Sequence, residues 1–171
     1  QAHAKLAAIT NKIGYPDRWR DYPSVKVVRD DLVGNVARAR TFDLVRDLGK
    51  IGKPVDRNEW QMSPPTVNAY YDPQKNEIVF PAGILQPPFF HKDFPEAMNL
   101  GGIGFVIGHE LTHGFDDQGR KFNEKGELTD WWTEASVKGF EERAACIDKQ
   151  YSAYEIEPGV KVNGKLTLGE N

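Results

Sequence analysis

Two histidines four residues apart, with a glutamate directly after the first, lie in the segment Val106–His113. Residues four apart share one face of a helix, so the imidazoles of His109 and His113 can reach a single ion at roughly 2.0–2.1 Å. Glu110 lies to one side of that ion, within reach of a water molecule whose proton it could take. The pattern predicts a zinc hydrolase site, against the alternatives of a chance match and a pair of core histidines.

The residues around this motif are glycine-rich and apolar, in the runs Gly101–Gly108 and Gly114–Asp117. They predict a helix that is apolar enough to be buried. A buried pair of histidines with a glutamate between them needs a partner, because an unpaired buried charge is costly. The context therefore favours a metal over core histidines.

Composition excludes several classes of protein. With 39% hydrophobic and 11% aromatic residues in 171, the chain can bury a core as one domain. A net charge of −3, with scattered Lys and Arg, disfavours nucleic acid as a partner. The sequence contains no apolar run of the roughly 18 residues that a membrane span needs, and the start Gln1–Lys5 lacks the order of a signal peptide. A segment for export or anchoring is therefore expected to lie outside this sequence.

Cys146 is the single cysteine, so an internal disulfide and a cysteine-based zinc site are both excluded. It is expected to be a buried free thiol in a helix. The alternative is one half of a disulfide whose partner lies elsewhere.

Glycines and prolines separate the predicted helices and strands in the first half of the chain. Ala4–Ile13 is expected to be the end of a helix, stopped at Gly14. Apolar spacing between Asp30 and Leu48 predicts one long helix or two short ones. Two aromatic and β-branched runs, Val67–Tyr71 and Glu77–Phe80, flank a turn and predict a hairpin.

The second half is expected to contain a long helix from Glu127 to Tyr154, capped by Thr129 or Asp130. Trp131 and Trp132 are interpreted as core anchors rather than ligand contacts. A final helix is expected from about Leu168, with Thr167 as its cap.

A peptidase zinc site needs a third protein ligand and an open fourth position. His3, near the chain end, and His91, in a proline-rich loop, are possible ligands, although both are more simply exposed loop residues. Glu170 is the better candidate, since it lies in the first turn of the expected last helix. The choice stays open on these grounds, because 25 acidic residues compete for the role.

Several further blocks, in this order, resemble the catalytic domain of neprilysin-family zinc metallopeptidases, the group of the endothelin-converting enzymes and bacterial oligopeptidases. The blocks are Val67–Tyr71, Asn76–Phe90, Gly101–Gly119 and Leu168–Asn171, with weaker likeness at Lys12–Pro16 and Gly52–Trp60. The resemblance covers nearly the whole chain.

The resemblance implies roles for individual residues. His109, His113 and Glu170 would be ligands of one Zn²⁺ per chain, with Glu110 as the general base. Asp116 would orient His113. Asn68 and Ala69 would bind an extended peptide by main-chain hydrogen bonds. Four residues would line the pocket for the substrate side chain after the cleaved bond, although they could equally be core: Ile84, Phe89, Phe105 and Val106.

The fold implied is a mainly helical α+β part of a thermolysin-like zinc peptidase catalytic domain, with a small antiparallel sheet beside the active-site helix. Residues 1–171 would form a single partial catalytic domain, with a helical lead-in over about 1–60 and a zinc-site core over 61–171 that is truncated at its C-terminal end. The rest of the full-length peptidase would be its partner, because groups that the family uses to orient His109 and stabilise the transition state would lie beyond Asn171.

The function implied is a zinc-dependent endopeptidase that hydrolyses peptides and small polypeptides on the amino side of hydrophobic residues. By the same resemblance its location would be extracytoplasmic, with a cytoplasmic one as the alternative. The competing functions are a non-catalytic zinc-binding fragment or pseudopeptidase, and an interaction domain without metal. Glu110 separates them, because a structural zinc site has no need of a base beside the ion.

Overall fold

Five α-helices and five β-strands lie within residues 1–170, the part of the chain that the computed structural model describes. The helices are α1 (Ala2–Ala7), α2 (Leu32–Leu48), α3 (Glu96–Asn99), α4 (Phe105–His113) and α5 (Glu134–Tyr151). The strands are β1 (Thr10–Gly14), β2 (Tyr70–Asp72), β3 (Glu77–Pro81), β4 (Glu155–Glu157) and β5 (Val160–Lys161). A π-helical turn, Leu100–Gly104, leads directly into α4. None of the helices within this range is long and apolar enough to cross a bilayer.

The described residues form two units. The site-bearing unit consists of Gln1–Tyr15 and the described residues from Met62 onward, and the inserted unit is Pro16–Gln61. The prediction of a single partial catalytic domain, with a lead-in over about 1–60, stays a prediction.

The main sheet lies in the site-bearing unit and has the strand order β1-β3-β2. The predicted hairpin is confirmed: β2 pairs with β3 in antiparallel fashion, and the turn between them contains Asn76 at a positive φ of 49°. β1 pairs with β3 in parallel, so the sheet is mixed and the expectation of an antiparallel sheet is wrong in this pairing.

The strand β1 also corrects the prediction of a helix end over Ala4–Ile13. The helix α1 stops at Ala7, and Thr10 begins the strand. Pairing with the fully buried strand β3 decides this conformation, since tertiary contacts override local helix preference.

A small apolar core includes residues of β3 and is in contact with α4. Its buried members are Ala69, Ile78, Phe80, Ile84 and Ile103. Val106 and Leu111 of α4 pack against this cluster and are partly buried. The core thus fixes one face of the helix that carries the histidine motif.

The inserted unit contains α2, which is one long helix. Its N-terminus is capped by Asp31, whose carboxylate accepts a hydrogen bond of 3.0 Å from the main-chain N–H of Gly34. None of the residues of α2 is buried.

The helix α5 begins later than the sequence predicts. Thr133 is its N-cap and accepts a 3.2 Å hydrogen bond from the N–H of Ser136, so the predicted start at Glu127 with a cap at Thr129 or Asp130 is wrong. A β-bridge between Phe122 and Leu128, and a hydrogen bond from Thr129 N–H to Lys121, hold the preceding residues in an extended turn.

Two further predictions about this region are corrected. Cys146 on α5 is exposed rather than buried. Thr167 ends a 3₁₀ turn, Gly164–Thr167, and its hydroxyl donates to the carbonyl of Gly164 at 2.8 Å instead of capping a helix. The last residue of the predicted helix, Asn171, lies outside the described residues.

Candidate metal centre

The helix α4 presents His109 and His113 one turn apart, with their rings turned towards each other. Their Nε2 atoms are 3.0 Å apart, and the ring planes meet at 76°. Both side chains are partly buried. This convergence follows from the four-residue spacing, since side chains at i and i+4 lie one above the other on a helix.

Glu170 brings a carboxylate to the same place from the C-terminal end of the described chain. Its Oε2 atom is 3.5 Å from Nε2 of His109. The ligand atoms of His109, His113 and Glu170 all lie within 4.8 Å of one another, the one such group found among residues 1–170 that could hold a metal ion.

These separations fit zinc. Atoms that bind one ion at roughly 2.0–2.1 Å in a tetrahedral arrangement are about 3.3–3.4 Å apart. The observed separations of 3.0 Å and 3.5 Å bracket that value. Two imidazoles and a carboxylate are also the donor set of catalytic rather than structural zinc sites, with one position left open.

The other histidines lie outside this group. His91 accepts a hydrogen bond of 3.2 Å from the N–H of Asp93, and its ring contacts Phe94. His3 is exposed on the short helix α1. The structure therefore brings Glu170 to the histidine pair and neither of these alternatives.

Glu110 is 4% exposed and is the one residue of α4 that is buried. Burial raises the pKa of its carboxyl group, because the charged form loses hydration. His113, His109 and a hydrogen bond from the main chain of Tyr71 act in the opposite direction. A raised pKa suits a group that must both take up and release a proton near neutral pH.

Asp116 follows α4 and turns back to the second histidine. Its Oδ2 atom is 2.9 Å from Nδ1 of His113, while its Oδ1 accepts hydrogen bonds from Gln118 N–H at 2.9 Å and Gly119 N–H at 2.6 Å. A carboxylate at Nδ1 favours the tautomer whose Nε2 lone pair is free for a metal. Gly119 permits the tight return, since any Cβ there would collide with the carbonyl of His113.

These groups line an open cavity of about 370 Å³. Of the predicted substrate-binding residues, Asn68 and Ala69 line it, beside the metal group and Asp116. It has five further lining residues that the sequence did not single out: Tyr70, Tyr71, Pro73, Gln118 and Gly119. Four of them lie within the blocks Val67–Tyr71 and Gly101–Gly119 that resemble the neprilysin family, and Pro73 lies outside both.

The four residues predicted for the substrate pocket do not line this cavity. Ile84 is part of the buried core, whereas Phe89 and Val106 are partly buried against it. Phe105 is exposed. The helix α4 is accordingly not the buried helix that its apolar residues predict, because Phe105 and Ile107 are exposed while Val106 packs against the core.

The chain is similar in sequence to the members of one peptidase family. Residues 68–171 match the family model described as peptidase family M13. The chain belongs to this family. It is 45% identical over 177 residues to an endothelin-converting enzyme homolog of Locusta migratoria, and 46% identical over 178 residues to neprilysin-11 of Caenorhabditis elegans. The predicted membership of the neprilysin family of metallopeptidases is thus confirmed.

The fold of the chain is also similar to that of a solved metalloprotease structure. The crystal structure of zinc metalloprotease ZMP1 of Mycobacterium tuberculosis, in complex with an inhibitor, has a TM-score of 0.93 at 52% identity. It is matched over 99% of this chain and 27% of that one. The two relatives above are matched over 99% and 98% of this chain but only 24% and 21% of their own length, so this chain spans about a quarter or less of them.

Proposed function

We propose that this chain carries the metal centre of a zinc-dependent endopeptidase. The observation that carries the proposal is the convergence of His109, His113 and Glu170 at ligand distances, with Glu110 buried beside them. Membership of a metallopeptidase family supports it. Zinc, when bound, supplies Lewis-acid chemistry: it polarises a carbonyl group and lowers the pKa of bound water to about 7.

The residues of the chain divide the remaining tasks. His109, His113 and Glu170 hold the ion, and Asp116 keeps the His113 ring in orientation and tautomer. Glu110 takes the proton of the attacking water and passes it to the leaving amine. Its buried carboxylate is not one of the three proposed metal ligands, so it is available for proton transfer.

The substrate is an extended peptide. Asn68 and Ala69 lie beside the metal group, where main-chain and amide hydrogen bonds would hold a peptide without reading its side chains. We propose that Ile84, Phe89, Phe105 and Val106 form an apolar pocket in the whole enzyme, so that cleavage falls on the amino side of hydrophobic residues. Discrimination between apolar side chains should be graded, since one methylene is worth ~1–3 kcal/mol.

Elemental analysis and peptide hydrolysis by the full-length protein test the function. We expect one zinc per chain, loss of activity with a chelator, and recovery when zinc returns. His109→Ala should lose both zinc and activity. His91→Ala is the matched control, a histidine outside the metal group, and should keep both. A full-length protein that binds zinc but hydrolyses no peptide in a mixed library would instead be a pseudopeptidase.

Cleavage mapping on that library tests the specificity. We expect Phe, Leu and similar residues directly after the cleaved bond. A preference for Asp, Glu or Lys at that position would exclude the proposed apolar pocket.

Residues 1–171 by themselves are proposed to have little peptidase activity. The side chain of Glu170 is 72% exposed, and the residue follows the short 3₁₀ turn Gly164–Thr167 instead of lying in a packed helix. The third ligand would be loosely held. Zinc titration and a fluorogenic peptide assay, run beside the full-length enzyme, check this; turnover within about tenfold of the intact enzyme would contradict it.

The location proposed for the full-length enzyme is extracytoplasmic, with a cytoplasmic one as the alternative. The resemblance to the neprilysin family motivates it. Cell fractionation with a peptidase assay on each fraction distinguishes the two.

A further inference from the structure

Lys5 is a fully buried lysine in α1, with 0% of its surface exposed. Its ammonium group donates three hydrogen bonds to main-chain carbonyl oxygens: Gly114 at 2.6 Å, Gly119 at 2.8 Å and Phe122 at 2.7 Å. All three acceptors belong to one stretch, Gly114–Phe122, which we call the Asp116 loop. The N-terminal helix is thus bonded to a single loop that lies 109 to 117 residues later in the sequence.

The geometry requires the charged form of Lys5. Only an ammonium has three N–H groups for three acceptors, since a neutral amine has two. Three aromatic rings also surround it, with ring centroids 5.8 Å away for Tyr71, 5.4 Å for Phe115 and 5.6 Å for Trp131. Such rings attract a desolvated cation. Burial lowers the pKa of Lys5 to about 8 and the charge of Asp116 acts against this, so the group is mostly protonated at neutral pH.

The position of Asp116 within the loop links this contact to the metal centre. Two of the bonded carbonyls flank it, at Gly114 before and Gly119 after. The carboxylate of Asp116 in turn is 2.9 Å from His113. Any movement of the loop would therefore move the group that orients a metal ligand.

We propose that Lys5 is a positioning residue of the metal centre: its ammonium holds the Asp116 loop closed and thereby keeps the carboxylate of Asp116 against His113. The proposal rests on the proposed zinc site. It gives α1 a role in metal binding, although Lys5 lies outside residues 68–171, which match the family model. Without the ammonium, the carbonyls of Gly114 and Phe122 would lose this donor, and that of Gly119 would keep only the N–H of Phe122, 3.1 Å away. The loop would have to shift to bring the carbonyls that have lost a donor to water.

The variant Lys5→Met in the full-length enzyme tests this, because methionine keeps the apolar stem and removes the donors. Zinc affinity is measured by competition with a chromophoric chelator. The visible absorption of the cobalt-substituted enzyme reports the geometry of the ligands. We expect zinc affinity to fall about tenfold, the lower end of the range for groups that touch a ligand directly, because Lys5 acts through Asp116. The cobalt spectrum should change, and kcat should fall with KM nearly constant.

Lys12→Met is the matched control. Lys12 is also largely buried, at 12% exposure of its side chain, and its Nζ is 2.8 Å from Glu77 in the sheet. The ion pair joins β1 to β3 and does not involve the Asp116 loop. This variant should lower the thermal stability while zinc affinity and the cobalt spectrum stay as in the wild type.

The outcomes are distinguishable. Lys5→Met with wild-type zinc affinity and cobalt spectrum overturns the positioning role alone. A wild-type protein that binds no zinc overturns the proposed function, and this inference with it. If Lys5→Met does not fold, Lys5→Gln, which keeps two N–H donors, is measured in the same way and should lose less than tenfold. Failure of both variants to fold, with Lys12→Met folded, would assign Lys5 a structural role and overturn the proposal.

Discussion

The two units of the chain use charged residues in different ways. Around the metal group of the site-bearing unit, two charged groups are buried: Lys5 contacts residues 109 to 117 positions away, and Glu110 is nearly inaccessible. In the inserted unit the charges are partly exposed and local, as in the pairs Arg46–Glu59 at 2.6 Å and Arg38–Asp31 at 3.0 Å.

This difference predicts where a substitution matters. Exposed ion pairs contribute about 0–1 kcal/mol each, because water screens them and two long side chains must be ordered. A buried charge that loses its partner costs several times more. Removal of a charge at the metal centre or the Asp116 loop should therefore disturb function, whereas removal of a charge in the inserted unit should change little.

The largest effect is expected for Glu110→Gln in the full-length enzyme. The amide cannot accept the proton of water, so kcat should fall on the order of 10²–10⁴-fold while zinc is retained. The matched control is Glu59→Gln, which should leave kcat unchanged. Steady-state kinetics and zinc content measure both, and a Glu110→Gln enzyme with most of its kcat would remove the base assignment.

The apolar side chains give the next contrast. Phe80 in β3 is 3% exposed, whereas Leu44 in α2 is 59% exposed. Phe80→Ala should lower the free energy of unfolding by about 3–5 kcal/mol, and Leu44→Ala by no more than about 0.5 kcal/mol. Urea denaturation of the full-length protein measures both values. A cost above about 1 kcal/mol for Leu44→Ala would show that the intact protein covers this residue, and the contrast between the units would fail there.

Asp116→Ala should have an intermediate effect. Without the carboxylate at Nδ1 the His113 ring can rotate and change tautomer, so zinc affinity should fall about 10–100-fold. Asp47→Ala is the control, an aspartate of the inserted unit that pairs with Lys50 at 2.9 Å. Chelator competition should give it the wild-type zinc affinity. Equal affinities for the two variants would contradict the orienting role of Asp116.

The smallest effect concerns pH and the N-terminus of α2. Hydrogen bonds from Arg38 and then Gly34 lower the pKa of Asp31 below 3.8, the ordinary value. The bonded carboxylate therefore stabilises the helix start above about pH 4, and the stabilisation is lost as the pH falls through the lowered folded pKa. Asp31→Asn does not titrate, so its helix should lack this loss.

Hydrogen exchange of α2, corrected for the intrinsic rate, measures this difference between the wild type and Asp31→Asn over that pH range. If the protection of α2 in the wild type, relative to that in Asp31→Asn, does not change as the pH falls below 4, the predicted role of the Asp31 carboxylate is refuted.

The sequence predicted those parts of the site that depend on local spacing. His109 and His113 converge because they are four apart on one helix, and the hairpin forms because a turn-forming segment separates two strand-like runs. The later start of α5 was missed, since hydrogen bonds of Thr129 and the bridge at Phe122 compete with the helical pattern of that region. A local sequence pattern reports the helix propensity of a segment, but it does not report contacts with other segments that compete with the helix.

The role of Lys5 had no local signal at all. A lysine in a short N-terminal helix is ordinarily solvated, and nothing in the neighbouring residues indicates that it is buried. Its three acceptors are main-chain carbonyls, which every residue possesses, so the sequence of the Asp116 loop does not mark them either. Only the folded chain shows that they converge on one ammonium group.

By itself, then, the sequence determined the pair of histidines four residues apart, the glutamate between them, and membership of peptidase family M13, because these depend on residue identity and on spacings within one helix or one block. The tertiary structure decided which carboxylate comes within 3.5 Å of His109, which residues line the cavity, and which buried cation donates hydrogen bonds to the Asp116 loop. Those contacts join residues up to 117 positions apart, and they form only when the closure of long loops is offset by the burial of a shared core.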